Sequence, residues 1–265
     1  MTRYPEIRFS CLVDNVHSVT EIGSRCVKAL TELDVYVDLN NGNNRTGIDP
    51  KDAFPVYKKC LEVKGIRPVG LHVYDGHIRD QDPDERKRHC DQDFERVAGL
   101  AGYINNRLDR DPVIIAGGSP TFAIHAARKG VICSPGTTLF WDAGYHEKFP
   151  DLPFRPAVMV MTRVISLPAP GLLCLDLGHK SIAGENPIEN RVRFQGREGL
   201  QPVSHSEEHF VLEYPAAGGY KVGDILYGIP YHICPTTALY DRALVIRDHE
   251  VVDEWEVIAR GRKIH

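Results

Sequence analysis

The residues with the clearest capacity for chemistry stand late in the chain, in Tyr231-His232-Ile233-Cys234-Pro235-Thr236-Thr237. The run reads as a strand, where residues i and i+2 share a face, so His232 and Cys234 are expected to point the same way. An imidazole and a thiolate at this spacing can grip one divalent ion of borderline softness, zinc before others. The same pair also suits a packed histidine beside a cysteine that acts as a small hydrophobe, and the spacing alone does not choose between the two.

Other chemistry-bearing residues stand where strand-like runs end. Gly117-Gly118-Ser119-Pro120-Thr121 and Ser134-Pro135-Gly136-Thr137-Thr138 offer backbone N–H groups and small hydroxyls, which suit a cluster of phosphate oxygens. Glycine and proline also simply terminate strands. Arg45, in Asn43-Asn44-Arg45-Thr46-Gly47, and Tyr74, in His72-Val73-Tyr74-Asp75-Gly76-His77, end neighbouring strands. A fixed cation and a flat phenol can flank an aromatic anionic cofactor, or be a surface arginine and a core tyrosine. The chain has neither G-x-x-x-x-G-K-[ST] nor G-x-G-x-x-G, which disfavours nucleoside triphosphate and dinucleotide folds.

The elements that must position these residues alternate in type. Strands are expected over 9–14, 34–39, 69–74, 113–116 and 131–134, with helices over about 16–33, 50–63 and 79–108. Strand, helix, strand with glycine-rich exits means parallel βα units, whose ligands gather at the strand ends. After about Tyr145 the texture changes: Pro150, Pro153, Pro156, Pro168 and Pro170 punctuate short apolar runs, and helical patterns are few. We therefore expect an α/β first domain over 1–145 and a C-terminal β domain over 146–265, closing in a hairpin that turns at Asp248-His249-Glu250.

Composition excludes several classes. The 265 residues are 42% hydrophobic and 26% charged with a net charge of −4, an ordinary globular balance. Lysine and arginine are scattered rather than striped, so nucleic acid is not expected as a partner. No apolar run reaches the length of a membrane span and no signal-peptide core is present, so a cytoplasmic protein is expected. The seven cysteines include no C-x-x-C pair, against both a disulfide framework and a four-cysteine zinc knot.

Taken together, Asn43-Asn44-Arg45-Thr46-Gly47, Tyr74-Asp75-Gly76-His77, Gly118-Ser119-Pro120-Thr121-Phe122, Ser134-Pro135-Gly136-Thr137, Asp176-Leu177-Gly178-His179-Lys180 and His232-Ile233-Cys234-Pro235-Thr236 resemble the D-threonine aldolase and D-serine dehydratase family along nearly the whole chain. The resemblance implies an alanine-racemase-like (β/α)₈ barrel, here partial, followed by a C-terminal β domain, in a homodimer. It implies pyridoxal 5'-phosphate and a divalent metal, zinc or manganese. Arg45 would contact the pyridine phenolate oxygen, Tyr74 would line the cofactor pocket, Gly118, Ser119, Thr121, Gly136 and Thr137 would hold the phosphate, and His232 and Cys234 would ligate the metal. His77 and His179 are candidate acid–base groups, or structural histidines. The implied substrate is a small β-hydroxy-D-amino acid, cleaved as by D-threonine aldolase, with D-serine dehydratase chemistry as the alternative.

One departure bears on activity. The family's cofactor-bearing lysine lies at the end of the first barrel strand, and nothing like that segment precedes Arg8; Lys28 falls in a helical stretch. The chain is expected to begin partway round the barrel and to be inactive in this form, with a non-catalytic remnant or cofactor-binding protein as the reading from another class. A partial barrel should also expose two sheet edges.

Overall fold

A computed structural model describes residues 3–215 and 219–261. It divides into two compact units, Met1–Gly136 and Thr137–His265. In the first, β1 (Ser10–Val13), α1 (Val16–Lys28), β2 (Leu33–Leu39), α2 (Ala53–Glu62), β3 (Ile66–Val73), α3 (Pro83–Leu108), β4 (Val113–Ala116), α4 (Phe122–Ala126) and β5 (Val131–Cys133) follow in turn. The strands are all parallel and lie in the order β1-β2-β3-β4-β5. Sequential order is what successive right-handed crossovers produce in a βα barrel, and it brings every strand exit to the same end of the sheet. Val35, Val37, Leu71 and Val73 of the sheet pack with Val56, Tyr57, Val97 and Ile104 of the helices, all buried. Among the described residues β1 and β5 pair on one side only, and Leu12 and Ile132 on them are exposed.

Local chemistry sets where the helices begin and end. Asn15 caps α1 by accepting from the Ser18 amide at 2.8 Å, and Asp82 caps α3 by accepting from the Asp84 and Glu85 amides at 3.0 and 2.9 Å. Pro83 fills the first position of α3, so this helix starts four residues later than its charge pattern predicts. α1 ends five residues earlier than predicted. Leu30 takes φ +52°, the Leu30 amide bonds to the Val27 carbonyl and the Thr31 amide to the Cys26 carbonyl, a left-handed helix stop that usually recruits glycine. A leucine here costs about 1 kcal/mol, and that missing glycine is why the sequence pattern runs past the true end.

The second unit contains α5 (Ala143–Lys148), β6 (Val160–Ala169), β7 (Leu172–Leu175), β8 (Val192–Phe194), β9 (Gln201–His205), β10 (Phe210–Glu213), β11 (Ile225–Pro230), α6 (Ile233–Thr237), β12 (Arg242–Arg247) and β13 (Glu250–Glu256). Six strands form an antiparallel sheet in the order β8-β11-β6-β7-β10-β9. Val164, Leu173, Leu175, Phe210, Leu212 and Leu226 make its buried core. β12 and β13 pair separately. Asp248 and His249 between them both have positive φ, 51° and 68°, the two-residue turn whose twist suits a hairpin, as the sequence predicts.

Candidate active site

The second unit carries the metal-capable pair. His232 is the N-cap of α6, with extended backbone at φ −135° and ψ 104°, and Cys234 lies in the helix's first turn. The strand predicted through this segment therefore stops at Pro230. Pro235 explains the correction: it lacks an amide hydrogen, which the first helical turn does not need and a paired strand does. The Thr236 and Thr237 hydroxyls donate to the His232 and Ile233 carbonyls at 2.8 and 3.0 Å, tightening the short helix.

The two side chains meet through this cap geometry. A hydrogen bond with Cys234 pushes the His232 imidazole up to about 9, against burial and with added help from Glu185. The same bond pulls the Cys234 thiol below its ordinary value, again against burial, and Thr137 assists. Thr137 Oγ1 is 3.4 Å from the sulfur, and His232 Nδ1 donates to Glu185 Oε1 at 2.5 Å. The remaining imidazole nitrogen and the sulfur thus share one proton, which a metal ion displaces when it takes both as ligands.

Asp142 anchors this turn. Its carboxylate is buried and accepts from the Tyr145 amide at 2.8 Å and the Ile233 amide at 3.1 Å, so one side chain caps α5 and the start of α6. Burial pushes its carboxyl up, opposed by those two amides. Neither Asp142 nor Glu185 carries a sequence signal, because each lies far along the chain from the histidine turn that it supports. His179, the other histidine singled out here, is exposed and spends Nε2 on the His205 carbonyl at 3.2 Å.

In the first unit the candidate cofactor residues gather at the exits of β2, β3 and β4. The Arg45 guanidinium lies over the Tyr74 ring, 4.5 Å from its centroid, and has no ion pair among the described residues. Gly118 and Gly76 flank the ring: a Cβ at either would stand 3.2 or 2.3 Å from it. Ser119 is buried at the loop tip. Gly136 opens onto free space.

Two expected phosphate ligands are already committed elsewhere. Asp75 Oδ1 accepts from the Gly118 amide at 2.9 Å and from the Thr121 hydroxyl at 2.8 Å, and Asp75 Oδ2 is 2.7 Å from His125 Nε2. The Arg128 guanidinium donates to His125 Nδ1 at 2.5 Å, which makes Nε2 the protonated nitrogen and the donor to Asp75. Thr121 is fully buried. This network shapes the 117–121 loop from beneath. Sequence reasoning passed over Asp75 and His125, whose meeting depends on two different strand exits.

His77, the remaining acid–base candidate, has Nε2 2.7 Å from Asp93 Oδ2 and a buried Nδ1 without a partner among the described residues.

Parallel βα units with polar strand exits, joined in sequence to a unit built on an antiparallel sheet, define the alanine-racemase-like class of architecture. Residues 2–143 match the alanine racemase N-terminal domain family, and residues 157–246 match the putative serine dehydratase domain family. A D-threonine aldolase from Arthrobacter sp. is 30% identical over 261 residues, covering 96% of this chain and 68% of that protein. A 3-hydroxy-D-aspartate aldolase from Paracoccus denitrificans is 27% identical, covering 94% of this chain and 66% of that protein. The crystal structure of D-threonine aldolase from Filomicrobium marinum superposes with a TM-score of 0.87 at 27% identity, over 96% of this chain and 70% of that one. The chain thus spans about two thirds of the length of the curated relatives it matches. It belongs to the D-threonine aldolase and D-serine dehydratase family, and by that kinship it is an aldolase-like lyase.

The family implies pyridoxal phosphate, and the residues present fit its ring: a guanidinium with no ion pair among the described residues lies over a tyrosine, beside Gly76, where a Cβ would collide with the ring, and Gly118, where it would crowd it. For the phosphate, Ser119 and Gly136 have no hydrogen-bond partner among the described residues, whereas the Gly118 amide and Thr121 hydroxyl are spent on Asp75 and the Thr137 hydroxyl lies against the Cys234 sulfur. None of the five strand exits carries a lysine, and Lys28 ends α1. The metal pair also fits. A thiolate and an imidazole whose far nitrogen is held by a carboxylate form the usual setting of a ligating histidine.

Proposed function

We propose that the chain carries the cofactor- and metal-binding parts of a lyase that cleaves β-hydroxy-D-amino acids, turning D-threonine into glycine and acetaldehyde. The observation that carries this reading is the His232–Cys234 pair backed by Glu185, in a chain that aligns along 96% of its length with a D-threonine aldolase. When bound, pyridoxal phosphate supplies an electron sink for charge at Cα, and the divalent ion supplies a Lewis acid at the β-hydroxyl. Arg45 neutralises the anionic edge of the ring and Tyr74 backs its face. Ser119 and Gly136 hold the phosphate, while Asp75, through Gly118 and Thr121, keeps their loop in shape. His232 and Cys234 hold the metal, which the nitrogen and sulfur donors make zinc rather than manganese.

His179 takes the acid–base role in preference to His77: it is exposed, whereas His77 has one nitrogen on Asp93 and the other buried. The protein works as a dimer in the cytoplasm. Among the described residues no helix is long and apolar enough to cross a membrane.

The match of residues 157–246 to a serine dehydratase domain favours a second reading, loss of water and then ammonia from a D-serine-like substrate. The bare strand exits favour a third, in which the 265-residue chain binds cofactor and metal without turnover. Three measurements separate these. Borohydride treatment of the chain with pyridoxal phosphate should fix no stoichiometric pyridoxyl-lysine, and one at a single position would overturn the inactivity proposed for this chain. H232A and C234A should each abolish binding of the zinc equivalent held by this pair, and E185Q should weaken it by about 10- to 100-fold. Finally, the chain extended at its N-terminus by a lysine-bearing strand from an aldolase relative should release glycine and acetaldehyde from D-threonine. Pyruvate from D-serine with no glycine from D-threonine would select the dehydratase instead.

A further inference from the structure

The first unit contains two groups of three potential metal ligands whose donor atoms lie within 4.8 Å of one another: Asp75, Cys90 and His125, all buried, and His77, His89 and Asp93, all half-buried. Proton placement separates them. In the buried group Arg128 donates to His125 Nδ1, so Nε2 carries the hydrogen that it gives to Asp75. Burial also pushes the Cys90 thiol up to about 12, against Arg128, and keeps it protonated. Every donor and acceptor there is spent, and no lone pair is left for an ion.

The half-buried group is arranged the other way. His89 and Asp93 stand four residues apart on α3, and therefore on one face of a rigid helix. His77 is brought beside them by the turn that leaves β3, closed by the Ile78 amide bonding to the Asp75 carbonyl at 2.9 Å. His89 Nδ1 is 3.0 Å from Asp80 Oδ2. A carboxylate only accepts, so Nδ1 holds the hydrogen and Nε2 is the nitrogen whose lone pair can serve an ion. That lone pair faces Asp93 Oδ2 at 3.8 Å. A cation between them, a proton or a metal ion, suits that placement. His77 adds a third group: its Nε2 donates to the same Asp93 oxygen at 2.7 Å, a hydrogen that an ion can displace because, unlike His125, its Nδ1 receives no donor among the described residues.

The spacing suits a tetrahedral ion. Metal–ligand bonds of about 2.0–2.1 Å place neighbouring ligands about 3.3 Å apart, and the observed 2.7 and 3.8 Å lie on either side of that separation. The two imidazole rings are 5.6 Å apart at 80°, so they do not stack and neither covers the other's nitrogen. Gly42 keeps the side of His77 open, since a Cβ there would come within 2.5 Å of Nε2.

We propose that His77, His89 and Asp93 form a second metal site, taking a divalent ion of the zinc type through two imidazole nitrogens and one carboxylate oxygen, with Asp80 orienting His89. The two nitrogen donors select zinc over magnesium or calcium. Partial exposure leaves a fourth position for water. The ion clamps the connection that bears Tyr74 and Asp75 to the flank of α3. This site contains no thiolate and is distinct in chemistry from the His232–Cys234 pair.

The test is the zinc stoichiometry of the 265-residue chain by equilibrium dialysis, with cobalt(II) as a spectroscopic substitute. The wild type should bind two equivalents, C234A one, H89A and D93N one each, and the C234A/H89A double variant none. D80N should keep both equivalents but hold one about 10- to 100-fold more weakly. Cobalt in C234A should show ligand-field bands without a sulfur charge-transfer band, whereas H89A should keep the charge transfer. A wild type that binds one equivalent, lost in C234A and retained in H89A and D93N, would overturn the proposal and leave the first metal pair standing. So would H89A and D93N each binding two equivalents.

Discussion

Asp75 and Asp142 are both almost fully buried, 3% and 2% exposed, yet their surroundings drive them in opposite directions. Burial pushes both carboxyls up. At Asp75 the hydrogen bond and charge of His125, together with Thr121 and the Gly118 amide, outweigh that cost and hold the group below its ordinary value. At Asp142 two backbone amides and the charges of His232 and Lys148 oppose burial without outweighing it, and the carboxyl stays raised. The difference teaches that depth alone does not set the charge state of a buried acid; the number and kind of donors do. It also separates two ways of supporting a site. Asp75 is the hub of a closed network under one loop, and Asp142 is a double helix cap holding one turn.

The largest effect should come from breaking the hub. D75A leaves the Gly118 amide, the Thr121 hydroxyl and His125 buried without their partner, and should destabilise the chain by about 3–5 kcal/mol in urea denaturation. D142A removes two caps and should cost about 2 kcal/mol. An equal or greater loss in D142A would break the comparison. The ranking should invert for zinc, because D142A frees the start of α6 and should weaken the ion at His232 and Cys234 about 10-fold, while D75A leaves that affinity unchanged.

Thiol reactivity sharpens the contrast between a network that is sealed and a turn that is open. Cys60 and Cys90 are 0% and 1% exposed, and burial pushes both thiols up to about 12. They should resist alkylation until the chain unfolds. Cys234 is exposed and should react first in the native chain, with zinc protecting it and a chelator restoring the reaction. Early modification of Cys90 would show that the Asp75 network opens readily.

The smallest effect tests a carboxylate at the surface. Asp49 is held below its ordinary value by the Lys51 amide and by Arg96, whose Nη2 donates at 2.6 Å. A depressed carboxyl contributes stability above its unfolded value of about 4, and the contribution is lost as pH falls through the folded value. Wild type should therefore lose slightly more stability than D49N on acidification below about pH 4, by thermal melts. Solvent screening keeps this loss well below the effect of D75A.

The fold and part of the site were legible in the chain because they rest on local pattern. Alternation of strand and helix periods marked β1 to β5 within a few residues, since apolar spacing of two or near four is imposed by the geometry of each element alone. The hairpin turn at Asp248 and His249 could be anticipated, though not the positive φ that both residues take. The helix stop at Leu30 could not, because the chain adopts a left-handed residue there without the glycine that normally announces it. The His-x-Cys spacing pointed to two side chains that do meet, but through another element: in sequence it looked like a strand face, and Pro235 turned it into a helix cap.

What tertiary structure alone decided is who holds these residues in place. Glu185 reaches His232 across 47 residues, Asp142 reaches Ile233 across 91, and Asp75 takes the Thr121 hydroxyl across 46. The sequence by itself named Arg45, Tyr74, Ser119, His232 and Cys234 as chemistry, because a residue type and its immediate neighbours are enough for that. Whether Thr121 is a ligand or a strut, and whether His89 faces a carboxylate with a lone pair or a hydrogen, depends on which acceptor stands on the other side of the ring or hydroxyl. Long-range packing supplies that acceptor, and no local spacing encodes it.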